Sequence, residues 1–151
     1  MRVLVVGATG YLGGAVALRL LREGHAVTAL VRDVARAEPL ARAGLAIRPG
    51  SLDDAAELTR ATADADAVIN AADSDHAAGV NAILEAIAGT AKTFIHTSGI
   101  SVTGDRAAGA GGGTVRDENT DYAPIPERAA RHAIDATVRG AASRGCHPMV
   151  V

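Results

Sequence analysis

Apolar positions along the chain alternate between short continuous runs and runs with helical spacing. Arg2–Val6 is a β-branched apolar run that ends at Gly7, a pattern typical of a buried strand. Leu12, Val16 and Leu20 then recur every four residues, which predicts an amphipathic helix. The same alternation predicts further strands at 26–31, 45–48, 67–72, 93–97 and 149–151, and further helices at 34–43, 53–62, 75–88 and 127–143.

This order predicts an α/β protein with a doubly wound parallel sheet and helices on both faces, in one domain over residues 1–151. Pro39 should break or restart the helix predicted at 34–43. We expect a long loop at 99–125, with a mobile Ala–Gly run at Ala107–Gly113. In the last helix, Ala130, Ile134 and Val138 form the predicted apolar stripe.

Composition narrows the class of protein. Apolar residues make up 48% of the 151 residues, charged residues 21%, and the net charge is -2, as in ordinary soluble globular proteins. That charge argues against a nucleic-acid partner held by phosphate contacts. The apolar runs are too short to cross a membrane, and glycine follows too early for a signal peptide, so we expect a cytoplasmic protein. Aromatic residues are only 2%, so the core should be built from Ala, Val, Leu and Ile.

Three glycines, Gly7, Gly10 and Gly13, lie between the first strand and the first helix. Gly7 allows a tight turn, Gly10 lets the backbone approach a pyrophosphate, and Gly13 lets the helix pack close to the sheet. The helix N-terminus then offers free N–H groups to phosphates. We therefore expect a dinucleotide here, although a strand–helix turn without a ligand is the alternative. The binding residues predicted in this loop are Gly7, Thr9, Gly10, Tyr11, Leu12 and Gly13.

Arg32 and Asp33 follow the second strand, where the adenosine ribose of a dinucleotide should lie. An arginine there accommodates the 2′-phosphate of NADP, and a guanidinium can grip a phosphate with two bonds. Arg32 comes first, directly after the strand, and this order favours NADP over NAD. In the alternative interpretation Asp33 binds the ribose of NAD and Arg32 is a solvated charge.

Four segments occur in an order that resembles a known family: Gly7–Gly13, Gly50–Asp53, Asn70–Ala72 and His96–Gly99. Together they resemble the extended and atypical short-chain dehydrogenases/reductases, the NAD(P)-dependent epimerase/dehydratase family. The resemblance implies a Rossmann fold with NADP or NAD as cofactor, and places it on further residues: Leu52 at the adenine, Ala71 and Ala72 along the cofactor, and Thr97 at the end of the fifth strand.

The chemistry of the resembled family uses a Ser, a Tyr and a Lys four residues after the Tyr. Tyr122 lies near the expected position, but residue 126 is Pro and the only lysine is Lys92. Ser98 and Tyr122 are therefore the catalytic candidates, without the usual Tyr–Lys pair. Similarity to the strand-end motif of the family also allows the catalytic hydroxyl position to fall on Gly99, and Arg128 or Arg131 could supply the positive charge.

Histidines offer a second set of candidates. Asp73, Ser74 and Asp75 precede His76 at a predicted helix start, a pattern that capping and the helix dipole explain without a metal. His96 lies within a strand, and alternation points it away from Thr97, so we interpret it as packed in the core. We expect no metal site.

These observations support an NAD(P)-dependent oxidoreductase or epimerase of the atypical short-chain type, acting on a small carbonyl or hydroxyl substrate. The alternative is a non-catalytic NADP-binding redox sensor that lacks the Tyr–Lys pair, and a third interpretation is an inactive half-domain that associates with other chains. The resemblance implies a substrate-binding region beyond the sixth strand, and we expect that region to be missing because the chain stops at Val151. It also implies a homodimer through helices 75–88 and 127–143.

Overall fold

The computed structural model describes residues 1–104, 106, 115–117 and 119–151. Within them, six strands form one sheet in which every neighbouring pair is parallel. The strands are β1 (Arg2–Val6), β2 (Ala26–Val31), β3 (Ala46–Pro49), β4 (Ala67–Asn70), β5 (Thr93–His96) and β6 (His147–Val150). Their order is β3-β2-β1-β4-β5-β6, so the chain builds outward from β1 twice, in opposite directions. This arrangement confirms the predicted doubly wound Rossmann sheet.

In the described ranges, five α-helices connect the strands: α1 (Tyr11–Arg22), α2 (Glu38–Arg42), α3 (Ala55–Ala63), α4 (Ala77–Ile87) and α5 (Ala129–Gly140). Pro39 restarts a helix, as predicted, because a 3-10 turn at Ala35–Ala37 is followed by α2 with the proline in its first turn. The predicted helix at 127–143 is an α-helix only in its middle. It is flanked by 3-10 turns at Pro126–Arg128 and Ala141–Arg144.

Alternate residues of the strands belong to two hydrophobic clusters, one on each face of the sheet. One cluster joins Leu4, Val68 and Phe94 to side chains from α3, α4 and α5. The other joins Val5 and Ala29 to residues of α1 and α2. Both consist mainly of Ala, Val, Leu and Ile, as the composition predicted, and each helix covers the sheet with its apolar side.

Several predicted details are wrong. Ala130, predicted to be buried, is exposed. The buried residues of α5 are Ile134, Asp135 and Val138, so the buried face of this helix includes an acid that the predicted stripe did not contain. β6 begins at His147, two residues earlier than predicted, and β4 ends at Asn70. The predicted loop at 99–125 contains a 3-10 turn at Ile100–Thr103. The whole Ala107–Gly113 run, which we expected to be mobile, lies outside the described residues.

Of the helices that the structure describes, none combines the length and the apolar character that a membrane crossing requires.

Candidate functional site

The turn between β1 and α1 depends on the absence of side chains at two glycines. Gly7 has a φ of 89°, and a Cβ on it would lie 2.7 Å from backbone atoms of Ala71 and Ala72. A Cβ on Gly13 would lie 2.2 Å from the carbonyl oxygen of Gly7. The tight turn and the close approach of α1 to the sheet, both predicted from the spacing, are therefore present.

Gly10 is the N-cap residue of α1, and no side chain caps this helix. The first turn of α1 also carries no acidic residue. Backbone N–H groups at the start of an α-helix have no partner within the helix, and the helix dipole places positive potential there. This end of α1 therefore fits an anionic group such as a pyrophosphate.

A cleft of about 490 Å³ opens beside this turn, at the carboxyl ends of β1, β2 and β4. It lies where the strand order reverses between β1 and β4, the position at which open α/β sheets bind ligands. The predicted binding residues that line it are Gly7, Thr9, Gly10, Arg32, Leu52, Ala71 and Ala72. The other predicted binding residues, Tyr11, Leu12, Gly13, Asp33 and Thr97, lie outside its lining.

Two arginines stand at the end of the cleft beyond β2. Arg32 and Arg36 both line it and are both exposed. Asp33 lies between them, but its Oδ1 accepts hydrogen bonds from the backbone N–H groups of Ala35 at 3.0 Å and Arg36 at 3.3 Å. Asp33 therefore holds the turn that presents the arginines. Sequence reasoning missed Arg36, although its spacing of four from Arg32 was a usable signal.

The wall of the cleft beyond β3 is closed by a histidine and an aspartate. Nδ1 of His76 accepts from the N–H of Gly79 at 3.0 Å and caps α4, which leaves Nε2 to donate to Oδ1 of Asp53 at 2.9 Å. That hydrogen bond is the main reason that the pKa of Asp53 is lowered. The prediction that the preceding polar residues cap this helix is wrong: the N-cap is His76, and Oδ1 of Asp73 instead accepts from the N–H of Asp75 at 2.9 Å.

Leu52 forms part of the same wall and belongs to the core. It is 9% exposed, and a Cβ on Gly79 would lie 2.9 Å from its side chain. Ser51 makes a local contact, in which its Oγ accepts from the N–H of Asp53 at 3.1 Å. The segment after β3 thus offers an apolar surface with a polar edge.

Ser98 lies beyond the end of β5, next to the cleft but not in its lining. Its backbone N–H donates to the carbonyl of Val151 at 2.7 Å, which continues the pairing with β6. Its Oγ donates to Oδ2 of Asp135 on α5 at 2.7 Å. A buried carboxylate from α5 therefore fixes the orientation of this hydroxyl.

His96 is fully buried, as its place in the strand predicted. Its ring contacts the side chain of Asn70, with 3.2 Å between Nδ2 of Asn70 and Nδ1 of His96. Burial is the main reason that the pKa of His96 is lowered, so the ring is neutral at pH 7.

Arg131 and Tyr122 occupy different surroundings. Arg131 makes two hydrogen bonds to the carboxylate of Asp75, at 2.7 and 2.6 Å, and this carboxylate raises its pKa. A Cβ on Gly99 would lie 3.0 Å from Nη1 of Arg131, so the guanidinium lies at the end of β5. Tyr122 packs edge-on against His132, with 5.3 Å between the ring centres. Of the two arginines considered as a source of charge, Arg131 is therefore placed beside Gly99.

Several known proteins are similar to parts of this chain. An isoflavone reductase homolog from Zea mays is 39% identical over 103 residues, which are 62% of this chain and 33% of the maize protein. The chain thus spans about a third of that relative's length. An NADPH-dependent quinone oxidoreductase from Escherichia coli, solved with NADPH, is 27% identical with a TM-score of 0.55, over 65% of this chain and 36% of that one.

The fold matches over a longer span. A nucleoside-diphosphate-sugar epimerase from Pseudomonas aeruginosa aligns with a TM-score of 0.72 over 99% of this chain and 50% of its own, at 22% identity. Residues 7–141 match the NAD(P)H-binding family, a range that includes the glycine turn, the cleft and α5. The resemblance to atypical short-chain dehydrogenases/reductases is thereby confirmed, and the chain belongs to the NAD(P)H-binding family.

Proposed function

We propose that the chain binds NADP(H) in the cleft and serves as the cofactor domain of an oxidoreductase that acts on a small carbonyl or hydroxyl substrate. The observation that carries the cofactor preference is the pair Arg32 and Arg36 at the ribose end, with Asp33 engaged in the turn between them. Two guanidinium groups can balance the charge of a 2′-phosphate, whereas NAD offers only hydroxyls there.

The remaining contacts follow from the geometry of the cleft. The pyrophosphate is proposed to lie against Gly7, Thr9 and Gly10 at the start of α1, and the adenine against Leu52. The nicotinamide half then crosses Ala71 and Ala72 toward Thr97 and Ser98, since dinucleotides span the point where strand order reverses. Tyr11, Leu12 and Gly13 contribute the first turn of α1, which carries the free N–H groups.

The chemistry proposed for this end is hydride transfer. The nicotinamide supplies or accepts the hydride when bound. Ser98 and Arg131 both lie at the end of β5. There Nη1 of Arg131 can donate to a substrate oxygen, and Oγ of Ser98 can accept from a hydroxyl substrate. Arg131 brings a guanidinium to the place where the family's lysine would act, but it is paired with Asp75 and its planar group binds with a different geometry, so it is not an equivalent replacement. Tyr122 remains a catalytic candidate by its sequence position.

The choice of reductase chemistry is supported by relatives of known description. The maize relative is an isoflavone reductase homolog, and the E. coli structure is an NADPH-dependent quinone oxidoreductase. A non-catalytic redox sensor is the second candidate, and it is favoured by residue 126, which is Pro where the Tyr–Lys spacing from Tyr122 would require Lys. Consumption of NADPH with a panel of small carbonyl compounds supports the enzyme, whereas tight binding without turnover supports the sensor.

The cofactor proposal is tested by titrating the chain with NADPH and NADH, in parallel with Arg32→Ala. Arg22→Ala is the matched control, because Arg22 is exposed at the end of α1 and does not line the cleft. We expect the parent chain to bind NADPH at least tenfold more tightly than NADH. Arg32→Ala should remove most of that preference, whereas Arg22→Ala should keep it. Equal affinities in the parent chain would contradict NADP specificity, and no binding of either would contradict the proposed function.

A further inference from the structure

Three polar residues lie fully inside the protein beneath the nicotinamide end of the cleft. Asn70, His96 and Asp135 are 1%, 0% and 2% exposed, and they come from β4, β5 and α5. Buried side chains of this kind are normally satisfied by hydrogen bonds. Within the described part of the chain, however, Nε2 of His96 and Oδ1 of Asp135 have no hydrogen-bond partner.

The contacts of these residues form a line from the wall of the cleft to Ser98. The backbone N–H of Ala72, which lines the cleft, donates to Oδ1 of Asn70 at 3.1 Å. The amide nitrogen of Asn70 must then face His96, so it donates to Nδ1 and the ring proton resides on Nε2.

That proton faces the carboxylate of Asp135. Nε2 of His96 lies 3.8 Å from Oδ1 of Asp135, and the other oxygen, Oδ2, accepts from Oγ of Ser98 at 2.7 Å. An ionised carboxylate accepts hydrogen bonds and cannot donate one, so the hydroxyl hydrogen of Ser98 is committed to Asp135. The lone pairs of Oγ are left to accept.

We propose that Asp135 is a positioning residue, which holds the Ser98 hydroxyl so that its oxygen accepts a hydrogen bond from an N–H donor of the nicotinamide half of the bound dinucleotide. This inference rests on the proposed function. Asn70 and His96 lie between this carboxylate and the cleft wall: His96 faces Asp135, and Asn70 joins His96 to the backbone of Ala72. Asp135 is a buried acid, and the one hydrogen bond that its side chain makes within the described residues is to Ser98. A role in holding Ser98 explains why an acid lies on the otherwise apolar buried face of α5.

Replacing Asp135 with Asn tests this directly. An Asn side chain offers an amide N–H₂ as well as an oxygen, so it can turn the Ser98 hydroxyl around and make it a donor. The probes are NADPH, which reaches Ser98, and adenosine 2′,5′-bisphosphate, which contains only the adenine half. Asp121→Asn is the matched control, because Asp121 is an exposed residue outside the cleft lining.

We expect Asp135→Asn to weaken NADPH binding about tenfold and to leave the affinity for adenosine 2′,5′-bisphosphate unchanged. Ser98→Ala should show the same split, whereas Ser98→Thr, which keeps the hydroxyl, should remain within about threefold of the parent chain. If Asp135→Asn does not fold, a Ser98→Ala chain that binds NADPH as tightly as the parent chain still overturns the proposal, because Asp135 would then hold a hydroxyl that makes no contact.

The two proposals fail in different ways. A parent chain that binds neither probe overturns the proposed function and this inference with it. A parent chain that binds NADPH, with Ser98→Ala and Asp135→Asn equal to Asp121→Asn, overturns the positioning role only. Equal weakening of both probes would show that these residues support the fold, and it would also overturn the positioning role.

Discussion

Gly13 packs so closely on Gly7 that a methyl group cannot fit between them: a Cβ on Gly13 would lie 2.2 Å from the carbonyl oxygen of Gly7. The obstacle is backbone, which cannot move aside as a flexible side chain could. This contact fixes the start of α1 relative to the end of β1. The N-terminus of α1, with its free N–H groups, therefore lies at the edge of the cleft.

Gly13→Ala should therefore lower the free energy of unfolding by about 1–3 kcal/mol, since added volume in a packed site forces the backbone apart. It should also weaken NADPH binding, because α1 would shift away from the turn. Urea denaturation and NADPH titration measure the two effects. Gly140→Ala is the control: nothing lies within 4 Å of its added Cβ, and we expect a change below about 1 kcal/mol in the stabilising direction. A Gly13→Ala chain as stable as Gly140→Ala would contradict the packing argument.

His76 offers a test of the wall beyond β3. His76→Ala removes the N-cap of α4 and should destabilise the chain by about 1 kcal/mol, because the N–H of Gly79 loses its acceptor. His76→Asn supplies another good capping side chain and should recover most of that loss. The measurement is the urea midpoint of the three chains, and equal stability of the Ala and Asn variants would argue against the cap.

The buried ring of His96 predicts a pH dependence of stability. Burial lowers the pKa of His96 below its ordinary value of 6.5, while the ring in the unfolded chain binds a proton near that value. As the pH falls through 6.5, the unfolded chain therefore takes up a proton that the folded chain does not, and stability decreases. Burial is the largest effect on this pKa, and Arg131 adds to it. The charge of Asp135, the backbone of Ser74 and the charge of Asp75 oppose it.

Urea midpoints at pH 7.5 and 5.5 measure this dependence. The urea midpoint of the parent chain should be lower at pH 5.5 than at pH 7.5, and the decrease should be smaller for His96→Gln. His147→Gln, at an exposed position, should behave as the parent chain does. The pKa values of Asp53, Asp66 and Asp75 are lowered, so those carboxylates titrate below this window. A parent chain that is more stable at pH 5.5 would contradict the account.

Local patterns were enough to predict most of the fold. The β-branched run of β1, the four-residue spacing of α1 and the restart at Pro39 each depend on residues close together in sequence. The glycine turn was equally readable, because a strand, three spaced glycines and a helix occur within 22 residues.

The contacts that shape the site are different in kind. Ser98 and Asp135 are 37 residues apart, and Asp53 and His76 are 23 apart, so no periodicity within one element reveals them. Helical spacing placed Ala130 in the buried stripe of α5, but the structure buries Asp135 because its partner is a serine at the end of β5. Such pairs arise only when the topology brings distant elements together.

The position of the dinucleotide is the claim on which the account depends most, and amide chemical shifts in an NMR titration with NADPH measure it directly. A second cavity of about 410 Å³ lies at the opposite, amino ends of the strands and includes Thr28 and Ala46, which provides an internal comparison. Binding in the cleft should produce large shifts at Gly7, Gly10 and Gly50 and none at Thr28 and Ala46. Shifts confined to the amino-end cavity, or no shifts at saturating NADPH, would contradict it.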